Sequence, residues 1–220
     1  MQSKALINNN IPELQVADTV SKALQLMADF RVAHLPVVKD HKFLGLISEE
    51  ECLDQEDEKT LIGSLQPAFI QIFVRANDHF LNAVVVMNQN DMRVLPVINE
   101  KNDFEGTITI CELLKALGEY AGSNELGGII VMEIERVHYS VSELSRIVES
   151  THHNILHLNT TPQNSSDILT VTIHLNNREL GSLVTTLQRF DYHVTYFTGN
   201  KDEKTEIEQN YHHLMNYLDI

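Results

Sequence analysis

Apolar residues recur at helical spacing from Val20 through Ala23, Leu24 and Met27, and again from Phe80 through Ala83, Val84 and Met87. That spacing buries one face of a helix, and an Asp stands before each run, Asp18 and Asp78, as an N-cap whose carboxylate can accept free backbone N–H groups. A dense apolar run opening at Pro follows each helix, Pro36-Val37-Val38 and Pro96-Val97-Ile98. A polar turn comes next, Lys39 to Lys42 and Asn99 to Asp103, and then a second apolar run, Leu44 to Ile47 and Gly106 to Ile108. Two such runs predict a β-hairpin with a loop of about three to five residues. Ser48 and Thr109 then precede new helical segments, the second marked by Leu113, Leu114 and Leu117. The order helix, strand, strand, helix is thus predicted twice.

The two stretches are copies of one another. Asp18, Ala23, Met27 and Pro36 recur as Asp78, Ala83, Met87 and Pro96, and after one inserted residue Gly45 to Glu51 recurs as Gly106 to Glu112. Two copies are too few for a solenoid, which needs about three units to bury its core. The pair is expected to form one domain, with repeats at 1–65 and 66–122.

Gly118, Gly122, Ser123, Asn124, Gly127 and Gly128 mark a linker. Beyond it Ile130, Met132 and Ile134 alternate with Val131, Glu133 and Glu135, the period of a half-buried strand. Ser140-Val141-Ser142-Glu143 reads as a capping box before Leu144, Ile147 and Val148. Asn154 to Asn159 predicts a strand, Thr160 to Asp167 a polar turn, and Leu169, Val171, Ile173 and Leu175 an amphipathic strand. A helix over Leu180 to Phe190 and a strand over Tyr192 to Phe197 complete the order β, α, β, β, α, β over 126–199. That order is the ferredoxin-like plan, an antiparallel sheet with both helices on one face. Residues 200–220 carry Ile207, Tyr211, Leu214, Met215 and Leu218 at near-helical spacing, which predicts a terminal helix.

Composition narrows the chemistry. The 220 residues hold 16 Lys and Arg against 31 Asp and Glu, a formal charge of −15. Such a surface repels nucleic-acid phosphates and anionic lipid unless basic groups cluster, and they do not cluster here. Neither a secretory signal nor an apolar stretch of the ~20 residues that cross a membrane is visible, so a cytoplasmic protein with no nucleic-acid or membrane partner is expected. Cys52 and Cys111 fall at non-equivalent places in the copies and read as packing thiols in a reducing compartment.

The repeated pattern, an apolar helix, His34-Leu35-Pro36-Val37-Val38 or Arg93-Val94-Leu95-Pro96-Val97-Ile98, a polar turn, and Gly45-Leu46-Ile47-Ser48 or Gly106-Thr107-Ile108-Thr109 with an acid three places on, resembles the CBS motif. Two in tandem are similar to a Bateman module over about residues 8–120. The resemblance implies clefts between twin units that take an adenosine-containing ligand such as AMP. It also implies the contacting residues: Ser48 with Glu51 and Thr109 with Glu112 toward ribose and phosphate, and His34 and Arg93 at the phosphate end. The chemistry is sound, since a helix N-terminus attracts an anion and a guanidinium grips phosphate bidentately. The same Ser-x-x-Glu and Thr-x-x-Glu spacings are also capping boxes that need no ligand. The family acid is usually Asp, and this chain has Glu in both copies. A ferredoxin-like unit after such a pair resembles an ACT-like domain, and the whole layout is similar to accessory proteins of acetoin utilisation. This resemblance implies dimerisation. ACT domains often bind amino acids at the turn after their first strand, commonly at a Gly; here Arg136 to Ser140 has none.

The fold class expected is therefore mixed α+β and α/β, a CBS pair followed by a βαββαβ ACT-like domain. No phosphate loop, dinucleotide fingerprint or nucleophile elbow is visible, so an enzyme is not expected and no catalytic residue is nominated. Eleven His include His152-His153 with His157, but structural zinc wants four ligands in defined pairs, and His153 and His157 on a strand would stand about 13 Å apart. These imidazoles read as exposed, and no metal is expected. The function read from the chain is a non-catalytic, homodimeric sensor that binds an adenine nucleotide and acts on a protein partner. The alternative is a ligand-free dimeric scaffold for protein interaction.

Overall fold

The structure is a computed structural model and describes residues 1–163 and 167–198. The expected helix at 200–220 lies outside the described residues. The chain forms two compact units, the first Met1–Leu117 and the second from Gly118 onward. Among the described residues, no helix is long and apolar enough to cross a membrane.

In the first unit each copy builds the same small layer. The first copy runs β1 (Leu14–Gln15), α1 (Val20–Phe30), β2 (His34–Lys39), β3 (Lys42–Ser48) and α2 (Glu49–Leu53). The second runs β4 (Val74–Arg75), α3 (Phe80–Gln89), β5 (Val94–Ile98), β6 (Phe104–Thr109) and α4 (Ile110–Tyr120). The opening strands β1 and β4 pair parallel to β2 and β5, and each hairpin is antiparallel. The two-residue β1 and β4 are invisible to periodicity, which needs longer windows. Asp18 and Asp78 are not the caps. Thr19 and His79 are, because each Asp carboxylate instead accepts the N–H three residues back, Gln15 at 2.8 Å and Arg75 at 3.3 Å, closing the turn from strand to helix. The first hairpin turn is also tighter than expected. Asp40 and His41 form it alone, both with positive φ (50° and 65°), the mirror turn whose twist matches the strands. The second turn is longer and holds the inserted residue.

Each copy is completed by chain that precedes the other copy. Residues Met1 to Asn9 lie on the second copy: the Ser3 and Lys4 N–H groups donate to the Asp78 and Ala76 carbonyls, and the Asn8 N–H to Thr107. Residues Thr60 to Gln71 lie on the first copy in the same way, with the Ile62 and Gly63 N–H groups on Asp18 and Val16, and Ile70 bridged to Leu46. Ile62 and Phe69 enter the core of Leu14, Val20, Met27, Leu35 and Ile47. Leu6 and Ile7 pack on the core of Phe80, Met87, Leu95 and Ile108, which also takes in Phe43 and Leu46 from the first copy. These straps explain the Gly of the repeat. At Gly45 (φ 146°) and Gly106 (φ 144°) an added Cβ would stand 2.6 Å from the Phe69 Cβ and 2.3 Å from the Ile7 Cγ2.

The second unit runs β7 (Gly128–Glu135), α5 (Val141–Ser150), β8 (Ile155–Pro162), β9 (Ile168–Leu175), α6 (Gly181–Arg189) and β10 (His193–Phe197). Its antiparallel sheet has the order β10-β7-β9-β8. Inward residues Ile130, Met132, Ile134, Val171 and Ile173 share one core with Leu144, Ile147, Val148, Leu183 and Leu187 of the helices. Strand β8 runs past the expected end at Asn159 to Pro162, into the stretch that the sequence pattern assigns to a polar turn. It is an edge strand, so Pro162 can end it without breaking a ladder on both sides.

Candidate functional site

The six residues singled out by the motif fall into two groups, one per copy. His34 opens β2 and pairs across the hairpin with Ser48. It is half-buried, and burial lowers its pKa below the ordinary imidazole value. The Ser48 hydroxyl caps α2 by accepting the Glu51 N–H at 3.1 Å. That helix has only five residues, and Glu49, Glu50 and Glu51 fill its first turn. Cys52 beside them is buried, and burial followed by Glu51 and Glu49 pushes its thiol up to about 11.

In the second copy Thr109 ends β6, and the Ile110 N–H that opens α4 donates to the Arg93 carbonyl at 3.0 Å. The Arg93 side chain is exposed there. In the first copy Glu49 donates to Ala33 in the same way, so Arg93 has Ala33 as its counterpart and His34 has Val94. Thr109 does not cap as Ser48 does. Its hydroxyl donates to one Glu112 carboxylate oxygen, while Asn8 Nδ2 donates to the other at 2.8 Å. Burial works against ionising Glu112, but the bonds from Thr109 and Asn8 outweigh it and leave its pKa lowered.

Asn8 was not picked out from the sequence, and it links this carboxylate to an opening. A cavity of about 300 Å³ is lined by Asn8, Asn9, Ile11, Pro12 and Glu13 with Phe104, Glu105 and Gly106 of β6. Its size is at the low end for small-molecule pockets, and its walls mix amides, carboxylates and apolar groups. The only hint in the sequence was the Asn8-Asn9-Asn10 run, whose meaning depends on where the strap lands.

The second unit has a cavity of about 420 Å³ between the end of β7 and the turn before β10. Glu133, Glu135, Glu143 and Asp191 line it with Phe190 and Tyr192, and no Lys or Arg does. Ile134 and His138 complete the wall, and four carboxylates there disfavour a carboxylate ligand. Burial, then Glu143, raises the Tyr192 pKa. The imidazoles are not all exposed. His153 is buried with its ring nitrogens on Thr151 Oγ1 and the Glu179 carbonyl, and His174 is buried beside Gly122. Cys111 likewise is exposed rather than packed. Among the described residues, no group of three or more His, Cys, Asp or Glu could hold a metal ion.

Comparison with known proteins bears on the first unit. Residues 4–58 and 70–119 match the CBS domain. The chain is similar to inosine-5'-monophosphate dehydrogenase of Halalkalibacterium halodurans, 25% identical over 107 residues, which are 48% of this chain and 21% of that protein. It thus spans about a fifth of that relative's length, within the CBS region. Among solved structures it is similar to a CBS domain pair/ACT domain protein from Thermotoga maritima, 22% identical with a TM-score of 0.50, covering 55% of this chain and 98% of that one. It is also similar to CBSX2 in complex with AMP, 19% identical with a TM-score of 0.46, covering 54% and 97%. At these identities the Thermotoga likeness concerns the fold alone. The doubled motif, the strand-and-helix layer built twice and the matched residues agree: the first unit of this chain is a tandem pair of CBS domains.

Proposed function

We propose that this chain is a non-catalytic regulatory protein whose CBS pair binds an adenosine-type ligand and whose second unit is a ferredoxin-like, ACT-like domain that passes the signal on. One observation carries the reading: Glu112 is held ionised by Thr109 and Asn8 at the start of the eleven-residue α4, and Asn8 is also a wall of the adjoining cavity. A ligand hydroxyl pair in that cavity would donate to the already charged Glu112 carboxylate and accept from the second N–H of the Asn8 amide that holds it. The N-terminus of α4 and the exposed Arg93 next to it would favour a phosphate group. The β, α, β, β, α, β order and the strand order β10-β7-β9-β8 support the ACT-like assignment. The proposed assembly is a cytoplasmic homodimer, in which a ligand acts by favouring one arrangement of the units over another.

Calorimetry with adenosine, AMP, ADP, ATP and S-adenosylmethionine tests the reading. Saturable binding of one of them, weakened by Arg93→Ala if it carries phosphate, is the expected result. Binding of none removes the sensor and leaves the dimeric interaction scaffold, and light scattering reads the subunit count in either case.

A further inference from the structure

The chain crosses between the copies twice, and the two crossings differ in length. After the strap on the second copy ends at Asn9, four residues, Asn10 to Glu13, carry the chain to β1 at Leu14. After the strap on the first copy ends at Gln71, only Ile72 and Phe73 carry it to β4 at Val74. The strap ends are equivalent: Asn9 and Gln71 lie over Gly106 and Gly45, beside Ile7 and Phe69.

The longer crossing roofs the cavity of about 300 Å³. Under the shorter one, the counterparts of the cavity walls touch each other. Phe43, the counterpart of Phe104, stands edge-on to Phe73 with ring centroids 6.0 Å apart. Gln71 Nε2 donates to the Leu44 carbonyl at 2.6 Å, and Leu44 is the counterpart of Glu105. The polar groups are missing as well. Ile70 stands where the second copy has Asn8, Ala33 where it has Arg93, and the five-residue α2 opens on three Glu.

We infer that the duplicated unit has one ligand site and not two, beneath the Asn10–Glu13 crossing, and that Ser48 and Glu51 serve only as the start of α2. This rests on the reading that the CBS pair binds an adenosine-type ligand, and it assigns that ligand's place and number. Asn8 of the strap, together with Arg93, distinguishes the working copy from the other.

Titration calorimetry of the full chain with adenosine and AMP tests the inference, with thermal unfolding of each variant as a check on folding. The expected result is one ligand per chain. Asn8→Ala and Glu112→Gln should each weaken binding about tenfold or more, the scale of one lost hydrogen bond to a charged group. Glu105→Trp, at an exposed position, should block the cavity, and it decides the matter if Asn8→Ala does not fold. Ser48→Ala and Glu51→Gln should leave affinity and stoichiometry unchanged. Two ligands per chain, or weakening by the Ser48 and Glu51 variants with none by Asn8→Ala, Glu112→Gln and Glu105→Trp, overturns the single site while nucleotide binding stands. No binding of either probe or of the wider ligand set removes both readings together.

Discussion

Lys42 and Asp103 occupy the same position of the repeat and pair with each other across the two hairpins. On either side the backbone bonds are mirrored: Phe43 N–H donates to the Asn102 carbonyl at 3.2 Å, and Phe104 N–H to the His41 carbonyl at 2.8 Å. The local twofold relation therefore runs through this pair. In a dimer of identical units the residue on such an axis meets its own copy and, if charged, repels it. Duplication within one chain lets the two positions differ, and here they carry opposite charges.

Reversing one of these charges should loosen the pair of copies. Asp103→Lys is expected to lower the urea midpoint of unfolding, more at low salt than at high salt, and Lys42→Asp added to it should restore the midpoint. The double variant matters most, because it keeps the complementarity and changes only its direction.

Acid should weaken the same contact. The bond from Lys42, and then that from Asn99, holds the Asp103 carboxyl below its ordinary pKa. A carboxyl lowered in the folded state stabilises fully above its unfolded pKa of about 3.9, and the contribution fades as pH falls through the lower folded value. Unfolding midpoints for wild type and Asp103→Asn should differ near neutrality and converge at strongly acid pH. A constant gap across that range would remove the link.

Thr107 is fully buried, and its hydroxyl finds no partner among the described residues. In the first copy the matching position is Leu46, an apolar core residue. Thr107→Val removes the unsatisfied group at nearly constant shape and should stabilise the protein by roughly 1 kcal/mol. A loss of stability on denaturant titration would mean that the hydroxyl is satisfied in solution.

Gly45→Ala and Gly106→Ala should each cost about 2–5 kcal/mol, combining strain at positive φ with overpacking against the strap. The clash involves Phe69 in one copy and Ile7 in the other, both in chain that must stay close. Thermal melts that leave either variant at the wild-type midpoint would show that the straps can move aside.

The two thiols should behave differently toward a disulfide reagent. Cys111 is exposed and should react in the native protein. Cys52 is buried with its thiol raised to about 11, so it should react only on unfolding. Equal rates for both thiols in native buffer would contradict the packing around α2.

Periodicity alone determined the doubled helix, hairpin and helix, and the alternating strands of the second half, because each of these buries one face of a local element and so repeats at the element's own spacing. The Thr109 and Glu112 motif was also legible, since a short spacing at a helix start survives in any fold. What the tertiary structure decided has no local signature. Chain preceding one copy completes the other, which makes Gly45 and Gly106 obligatory and carries Asn8 a hundred residues along the sequence to Glu112. Two additional residues in one crossing roof a cavity where the other crossing sets Phe73 edge-on to Phe43. Neither strap nor crossing has a period, and their meaning arises only when distant segments are brought into contact.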